Sequence, residues 1–410
     1  MRIAIIGGGA AGFFGAIAAA THDSSAEIVI LESTKQPLAK VRVSGGGRCN
    51  VTHHCFDPAE LVENYPRGNR ELLGPFHQFQ PRDTVAWFAG HGVQLKVEAD
   101  GRMFPVTDQS STIVDCLLNA AAQSGVQVRL DAKVKSAGTF FRNGDSRQFE
   151  IEFGCGIGER YDRVLLATGG NPQGHLFAEA LGHSIVPCVS SLFTFKVTDA
   201  RLRGLAGTSF NNVRISLKGK DKRKIEQTGA LLITHWGLSG PAVLKLSAWG
   251  ARILADNDYQ AELTVDFLPQ HSEQELYRTL LAHKEQNGRK HIKNTAVFPV
   301  PNRYWHRIVQ YIGITEETRW SSVTKEAMKS IASELTRGRF AIVGKGIFKV
   351  EFVTCGGVNL REVDFKTMQS KLCPGLFFAG EILDIDGITG GFNFQNAWTT
   401  GWVAGKSMVA

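Results

Sequence analysis

The chain lacks a cysteine framework. Its seven cysteines are odd in number and irregularly spaced, with no CxxC pair. That excludes a secreted disulfide scaffold, a zinc ribbon and a thioredoxin-type dithiol, and fits a reducing cytoplasm. No metal site is expected. Long hydrophobic runs are also missing: Gly7, Gly8 and Gly9 break the apolar stretch after Arg2 too soon for a signal peptide, and no run of about 18 apolar residues occurs elsewhere. Charge is nearly balanced, with 46 Lys and Arg against 39 Asp and Glu, a net +7 over 410 residues, which is weak support for an anionic partner. Part of the excess sits in Lys218, Lys220, Lys222, Arg223 and Lys224, the expected tip of a hairpin. No aromatics interleave with this run as a base-stacking surface requires, so a solvated turn is preferred to a nucleic-acid contact.

Glycine, by contrast, is abundant: 44 of 410 residues, roughly 11% against an average of about 7%, much of it in short clusters. The first cluster follows the β-branched run Ile3 to Ile6 and precedes an alanine-rich stretch to Ala20, reading as strand, glycine turn and helix. A second strand, Glu27 to Leu31, ends at Glu32. GxGxxG in this context, with an acid about twenty residues on, is a dinucleotide-binding fingerprint. Gly7 permits the tight turn, Gly9 lets the backbone approach a pyrophosphate and Gly12 lets the helix pack on the strand. The helix N-terminus supplies N–H groups and the positive dipole end. Glu32 would accept hydrogen bonds from ribose hydroxyls, and its charge disfavours a 2′-phosphate there.

Three further clusters point the same way. SGGGRCN, Ser44 to Asn50, follows Lys40 and Arg42 and suits a second phosphate-facing loop, its glycines forming an anion nest. The strand Val164 to Ala167 runs into Thr168, Gly169 and Gly170, bringing backbone to the carboxyl edge of a sheet. Near the C-terminus a strand entry over Gly375 to Phe378 leads to Ala379, Gly380 and Glu381, then Thr389, Gly390, Gly391, Phe392 and Asn393. A helix is expected from Asn393 with its N-cap near Thr389 or Gly390; aimed at a flavin, its N-terminus would stabilise the charge of the reduced ring.

With GRMFPVTDQS (Gly101 to Ser110), THWGLSGPAVLKLS (Thr234 to Ser247), FVTCGGV (Phe352 to Val358) and AGEILDIDGITGGFNFQNAW (Ala379 to Trp398), the chain resembles, end to end, the BaiN/YhiN-like flavoproteins, also described as NAD(P)/FAD-dependent or aminoacetone-oxidase-like oxidoreductases. The resemblance implies an α/β fold: a glutathione-reductase-like Rossmann FAD domain formed by both chain ends, an inserted β-barrel-like domain and a helical subdomain. Carried over by position, it puts adenosine on Glu32 with Val134 as a backbone clamp. Pyrophosphate falls on Gly7, Gly9, Ala11, Gly12 and the Gly45, Gly46 and Gly47 loop beside Lys40. Flavin falls near Arg48, Asn50, Glu381, Gly390, Gly391 and Asn393, and Thr168, Gly169 and Gly380 are further expected cofactor contacts. Two positions depart from the family pattern: Arg42 replaces a usually apolar residue, and Cys355 a common alanine, where a small buried thiol is the simpler reading.

Composition supports the same layout. Residues Leu192 to Phe267 alternate in short β-like runs, whereas Glu273 to Lys284 and Val323 to Leu335 read as helices. The expected boundaries are 1–191 and 345–410 for the FAD domain, 192–268 and 336–344 for the β-rich domain, and 269–335 for the helical part. Cys49 and Cys55 have five residues between them, one more than the redox pair of flavin disulfide reductases, so Cys49 is expected to pack as a neutral side chain. His235 is the candidate proton carrier. GLSGP around Ser239 lacks the second glycine of a nucleophile elbow. Asp384 and Asp386 either tune the flavin or cap the loop. The expectation is an FAD-dependent oxidoreductase passing hydride between flavin N5 and a small organic substrate, with NAD(P)H as candidate transient donor. The alternative is a flavin-bound redox sensor or RNA-associated protein.

Overall fold

The computed structural model describes residues 1–142, 146–154, 156–218, 224–346 and 353–410. The chain divides into two compact units, one from Met1–Val189 and Val353–Ala410, the other from Ser190–Phe352.

The first unit is built on a seven-stranded sheet. Five strands are parallel, in the order Leu376–Phe378, Arg163–Leu166, Arg2–Ile6, Glu27–Leu31 and Gln127–Arg129. The short strands Val363–Asp364 and Gln369–Ser370 extend it antiparallel at one edge. Central strands such as Ile3–Ile6 are fully apolar because helices cover both faces. The alanine-rich helix Ala10–His22 is buried almost all round, since the C-terminal helix Phe392–Met408 lies along it at backbone distance. A Cβ on Gly401 would sit 2.6 Å from the Ala11 carbonyl oxygen, and one on Gly405 2.2 Å from that of Gly15. These glycines are what let the two helices meet.

The expected strand Glu27 to Leu31 forms with those bounds. The C-terminal helix begins one residue earlier than expected, at Phe392, with Gly391 as N-cap at φ 93°. Two antiparallel three-stranded sheets complete the unit, one from Thr52–His53, Arg102–Pro105 and Leu95–Val97, the other from Val134–Arg142, Ser146–Phe153 and Gly158–Tyr161.

The second unit is a closed barrel in the order Phe195–Val197, Gly237–Ser239, Lys224–Thr234, Ser209–Lys218, Gln260–Asp266 and Gly338–Lys345. The two longest strands pair as a hairpin ending at Lys218 opposite Lys224; the tip, 219–223, with Lys220, Lys222 and Arg223, lies outside the described residues. The β-like pattern over 192–267 hides two helices, Pro241–Trp249 and Ala251–Ala255, started by a proline at the first helical position. Beyond the barrel, Glu273–Asn287 opens on a capping box: Ser272 N–H donates to the Glu275 carboxylate at 2.7 Å and Glu275 N–H to the Ser272 hydroxyl at 3.2 Å. Helices Asn302–Tyr311 and Lys325–Arg337 follow. Their residues Trp305, Met328 and Leu335 share one hydrophobic cluster with Phe210, Phe267 and Phe340 of the barrel. Buried Arg201 ties the two parts together, donating to Asp199 at 2.7 Å and Glu334 at 2.6 Å with its guanidinium 4.0 Å from the Phe340 ring.

Candidate functional site

Because the central strands are parallel, their carboxyl ends emerge on one edge. Four glycine-bearing or acidic turns meet there, after Ile6, Leu31, Leu166 and Phe378. Backbone bonds stitch them: Gly7 N–H donates to Leu31 O at 3.0 Å, Ala167 N–H to Ile6 O at 2.9 Å and Ala379 N–H to Leu166 O at 3.1 Å.

The first turn has the geometry its glycines require. Gly7 sits at φ 116°, and a Cβ there would lie 2.4 Å from the Ala167 carbonyl oxygen; one on Gly12 would lie 2.0 Å from that of Gly7. Gly9, the helix N-cap, differs: nothing lies within 4 Å of its Cβ position, and no side chain caps the helix. The surface over the first amides is therefore open to a ligand phosphate. Glu32 follows the second strand. One carboxylate oxygen accepts Gly8 N–H at 2.9 Å and the other accepts Thr34 N–H and hydroxyl, each at 2.8 Å. The Ser33 hydroxyl adds a fourth, longer bond at 3.4 Å, so of the carboxylate's about four lone-pair positions a ribose hydroxyl would take that of the Ser33 or Thr34 hydroxyl. Val134 begins its strand two residues beyond Ala132, whose N–H donates to Glu32 O at 2.8 Å.

In the Ser44–Asn50 loop Gly45, Gly46 and Gly47 are all left-handed, at φ 57°, 69° and 86°, followed by right-handed Arg48 at φ −96° and left-handed Cys49 at φ 60°, so the alternation that an anion nest can use falls on Gly47, Arg48 and Cys49. The three glycines form a left-handed turn that L side chains resist. All three are exposed, and nothing lies within 4 Å of a Cβ at Gly46 or Gly47, so the backbone is bare where a ligand could approach. Arg48 does not reach outward alone: it donates to Glu98 at 2.6 Å and lies 4.0 Å over Phe104. Lys96, donating to Asp108, holds that carboxyl below its usual range.

Asn50 accepts Gly391 N–H at 2.9 Å and donates to Thr52 O at 3.1 Å, its amide oriented by these neighbours. It thereby locks the glycine loop to the start of the C-terminal helix. Asn393 does the equivalent from the other side, exchanging both amide bonds with Gly387, at 2.8 and 2.9 Å. Gly390 and Gly391 are at φ 137° and 93°, and a Cβ on Gly391 would lie 2.6 Å from the Thr52 carbonyl oxygen. Both asparagines thus hold the backbone in place. Fully buried Asp386 forms an ion pair with Arg67, favouring the loop-holding role of the two left open for it.

Lys40, Gly169 and Glu381 come together although 341 residues separate the two charged ones. Lys40 donates to one Glu381 oxygen, and Thr354 N–H donates to the other at 2.8 Å. Gly380, at φ 76°, passes its N–H to the Thr400 hydroxyl at 2.9 Å, and a Cβ there would lie 3.0 Å from that of Ala11. The buried Thr168 hydroxyl has no hydrogen-bond partner among the described residues. Cys49 is buried and unpaired, its thiol pushed up to about 12 by burial against the opposing Ser44 hydroxyl; it is a neutral packing group.

Sequence reasoning missed three neighbours of this edge. Thr354 steadies Glu381. His53 meets Gly390 O at 3.0 Å and stacks on Phe392. Gln395 accepts the Thr52 and Thr84 hydroxyls at 2.6 and 2.9 Å and donates to Thr399 at 3.0 Å. The polar string GFNFQNAW on an otherwise apolar buried helix is the signal that could have found Gln395. His235 lies in the other unit, exposed on the turn between Lys224–Thr234 and Gly237–Ser239.

A parallel sheet with bare glycine turns, an uncapped helix start and an acid after the second strand is a dinucleotide site. Its exposed backbone and the buried, unpartnered hydroxyl of Thr168 fit FAD. The chain is an FAD-dependent oxidoreductase of the Rossmann class. It belongs to the HI0933-like family, whose model, described as the HI0933-like protein Rossmann domain, matches residues 1–407. It is 28% identical over 99% of its length to the ribosomal RNA dihydrouridine synthase of Escherichia coli K12, covering 97% of that protein. It is 29% identical, also over 99%, to the 3-dehydro-bile acid delta(4,6)-reductase of Clostridium scindens, covering 98%. Among solved structures, 3-ketosteroid delta1-dehydrogenase from Sterolibacterium denitrificans shares the fold, with a TM-score of 0.52 at 12% identity and 99% of each chain covered. Among the described residues no helix is long and apolar enough to cross a membrane.

Proposed function

We propose that this chain reduces a carbon–carbon double bond conjugated to a carbonyl group. The observation that carries the reading is the convergence of Gly9, Glu32, Lys40, Gly169 and Glu381 on one sheet edge. Two full-length relatives named for a reductase and a dihydrouridine synthase support it, since both names describe hydrogen added to an unsaturated ring. Bound flavin would supply hydride exchange at N5. The chain's residues bind and orient: amides at Gly9, Ala11 and Gly12 and at the Gly45–Gly47 turn take the pyrophosphate, Glu32 takes the ribose and Val134 clamps adenine. The backbone at Gly380, Gly390 and Gly391, held in part by Asn50 and Asn393, would hold the flavin together with Arg48 and Thr168. Solvent supplies the proton taken by the carbon next to the carbonyl, and NAD(P)H serves as transient donor.

The test is direct. Holoprotein should absorb near 450 nm (the oxidised flavin band, roughly placed), bleach anaerobically with NADH or NADPH, and pass reducing equivalents to an enone or a uridine, with a mass gain of two hydrogens in the product. Colourless protein that resists reconstitution, or holoprotein inert to every such acceptor, overturns the reading. A second reading, an RNA strand as the acceptor's carrier, is favoured by the relatives from Escherichia coli and Haemophilus influenzae named ribosomal RNA dihydrouridine synthases, each 28% identical.

A further inference from the structure

Two side chains of the first unit grip a single peptide group. The carbonyl of Gly390 and the N–H of Gly391 belong to the same peptide. His53 Nδ1 lies 3.0 Å from that carbonyl oxygen, and the N–H donates to the Asn50 side-chain oxygen at 2.9 Å. A carbonyl oxygen only accepts, so Nδ1 carries the proton and donates. Asn50 closes the circuit by donating to Thr52 O at 3.1 Å, the carbonyl that precedes His53 in the chain. The need for two grips follows from the residues on either side. Gly390 and Gly391 stand at φ 137° and 93°, and a peptide between two glycines meets no Cβ that resists its rotation. The His53 ring is itself pinned. It stacks on Phe392 with centroids 4.7 Å apart, and Gly101 leaves room for Nε2 only by lacking a Cβ, which would stand 2.5 Å away.

The gripped peptide leads straight into the helix Phe392–Met408. Gly391 is the N-cap, its carbonyl accepts Gln395 N–H at 3.0 Å, and no side chain caps this helix start. The first helical amides keep their donors, and the peptide before them sets their direction. We propose that His53 is a positioning residue for the flavin, acting through the Gly390–Gly391 peptide to hold the helix-start amides where the ring takes up its reduced charge. Amides at a helix N-terminus favour negative charge, so their alignment counts more for the reduced ring than for the oxidised one. A side chain that merely braced the fold would affect both redox forms of the cofactor alike. The role needs bound flavin but not the proposed acceptor, because no substrate enters its test.

The experiment measures the two-electron reduction potential of FAD-loaded protein, by anaerobic reduction against a reference dye, for the unaltered chain and three variants. His53→Phe keeps an aromatic ring against Phe392 but has no donor. His53→Asn puts an amide N–H near the place of Nδ1 without the ring, and His53→Ala removes both. Loss of the donor should weaken the hold on reduced FAD about tenfold more than that on oxidised FAD, a fall of about 30 mV for a two-electron couple. His53→Phe and His53→Ala should both show it, and His53→Asn should return most of the lost potential. Circular dichroism and flavin content establish that each variant is folded and loaded; if His53→Ala sheds its flavin, the Phe and Asn variants decide alone. A potential unchanged in His53→Phe, or one that falls equally in His53→Phe and His53→Asn, overturns the role of His53. Either result comes from yellow, reducible protein and so leaves the flavin site itself standing.

Discussion

Along the glycine edge of the first unit the exposed surface is main chain. Gly9, Gly46 and Gly47 have open space where a side chain would stand, while the polar side chains nearby, Asn50, Asn393 and Asp386, are turned inward to hold that main chain in place. At the start of the inserted unit's barrel the arrangement is reversed: the strands pair their backbone within the sheet, and the exposed groups there include the side chains of Lys196, Arg203 and Arg303. The difference teaches what each surface can do. Rigid amides cost little entropy to organise and suit a group held permanently in one pose, whereas long cationic side chains adapt and suit a ligand that comes and goes.

The contrast can be broken first where side chains hold the edge. Asp386→Asn leaves the Arg67 guanidinium without its buried counter-charge, and chemical denaturation should show a loss of about 3–5 kcal/mol. Equal stability would mean that the pair is not what holds the loop. Next, Glu32→Ala should reduce FAD affinity by about 1.5–3 kcal/mol, roughly ten- to a hundredfold in Kd, measured by flavin release on dilution.

A pair of glycine substitutions sharpens the comparison. Gly401→Ala overpacks the contact with Ala11 and should cost about 1–3 kcal/mol. Gly46→Ala meets open space, so its penalty is confined to a left-handed residue, about 1–2 kcal/mol, and its main effect should be on flavin retention. A thermal melt and a flavin assay on both variants separate packing glycines from ligand glycines.

The pH dependence comes from another place in the first unit. His183 is buried beside Glu362 and Ser370, at 3.1 and 2.8 Å, and burial lowers its pKa against the opposing pull of Glu362. A histidine depressed in the folded state stabilises the fold above its unfolded value of about 6.5, and that contribution is lost as pH falls below it. Unfolding free energy should therefore drop between pH 7.5 and 5.5 (chosen to straddle about 6.5), and His183→Gln should flatten the slope. The smallest effect concerns Cys49, whose buried thiol, raised to about 12, should stay unalkylated by iodoacetamide in native protein while exposed Cys188 reacts.

Much of the edge was legible because its chemistry is backbone chemistry. Gly7, Gly9 and Gly12 sit at fixed spacing between a β-branched run and an alanine-rich one, so local propensity and steric demand agree. The roles of Asn50 and Asn393 were not legible in the same way. A polar residue beside a glycine loop reads as a ligand contact, and only the path of the chain reveals that its partner is another loop's amide. The helices hidden in the apparently β-rich stretch, Pro241–Trp249 and Ala251–Ala255, show the same gap, since short apolar runs do not distinguish a strand from a buried helix.

Periodicity and glycine spacing are local properties, and they suffice to specify a dinucleotide fold, its strand ends and the acid after the second strand. Meeting of residues hundreds of positions apart, as in Lys40 with Glu381 or Arg67 with Asp386, depends on how the strands order themselves and how closely two glycine-faced helices pack. No window of sequence contains that information, because the energy that selects it is shared among contacts spread along the whole chain.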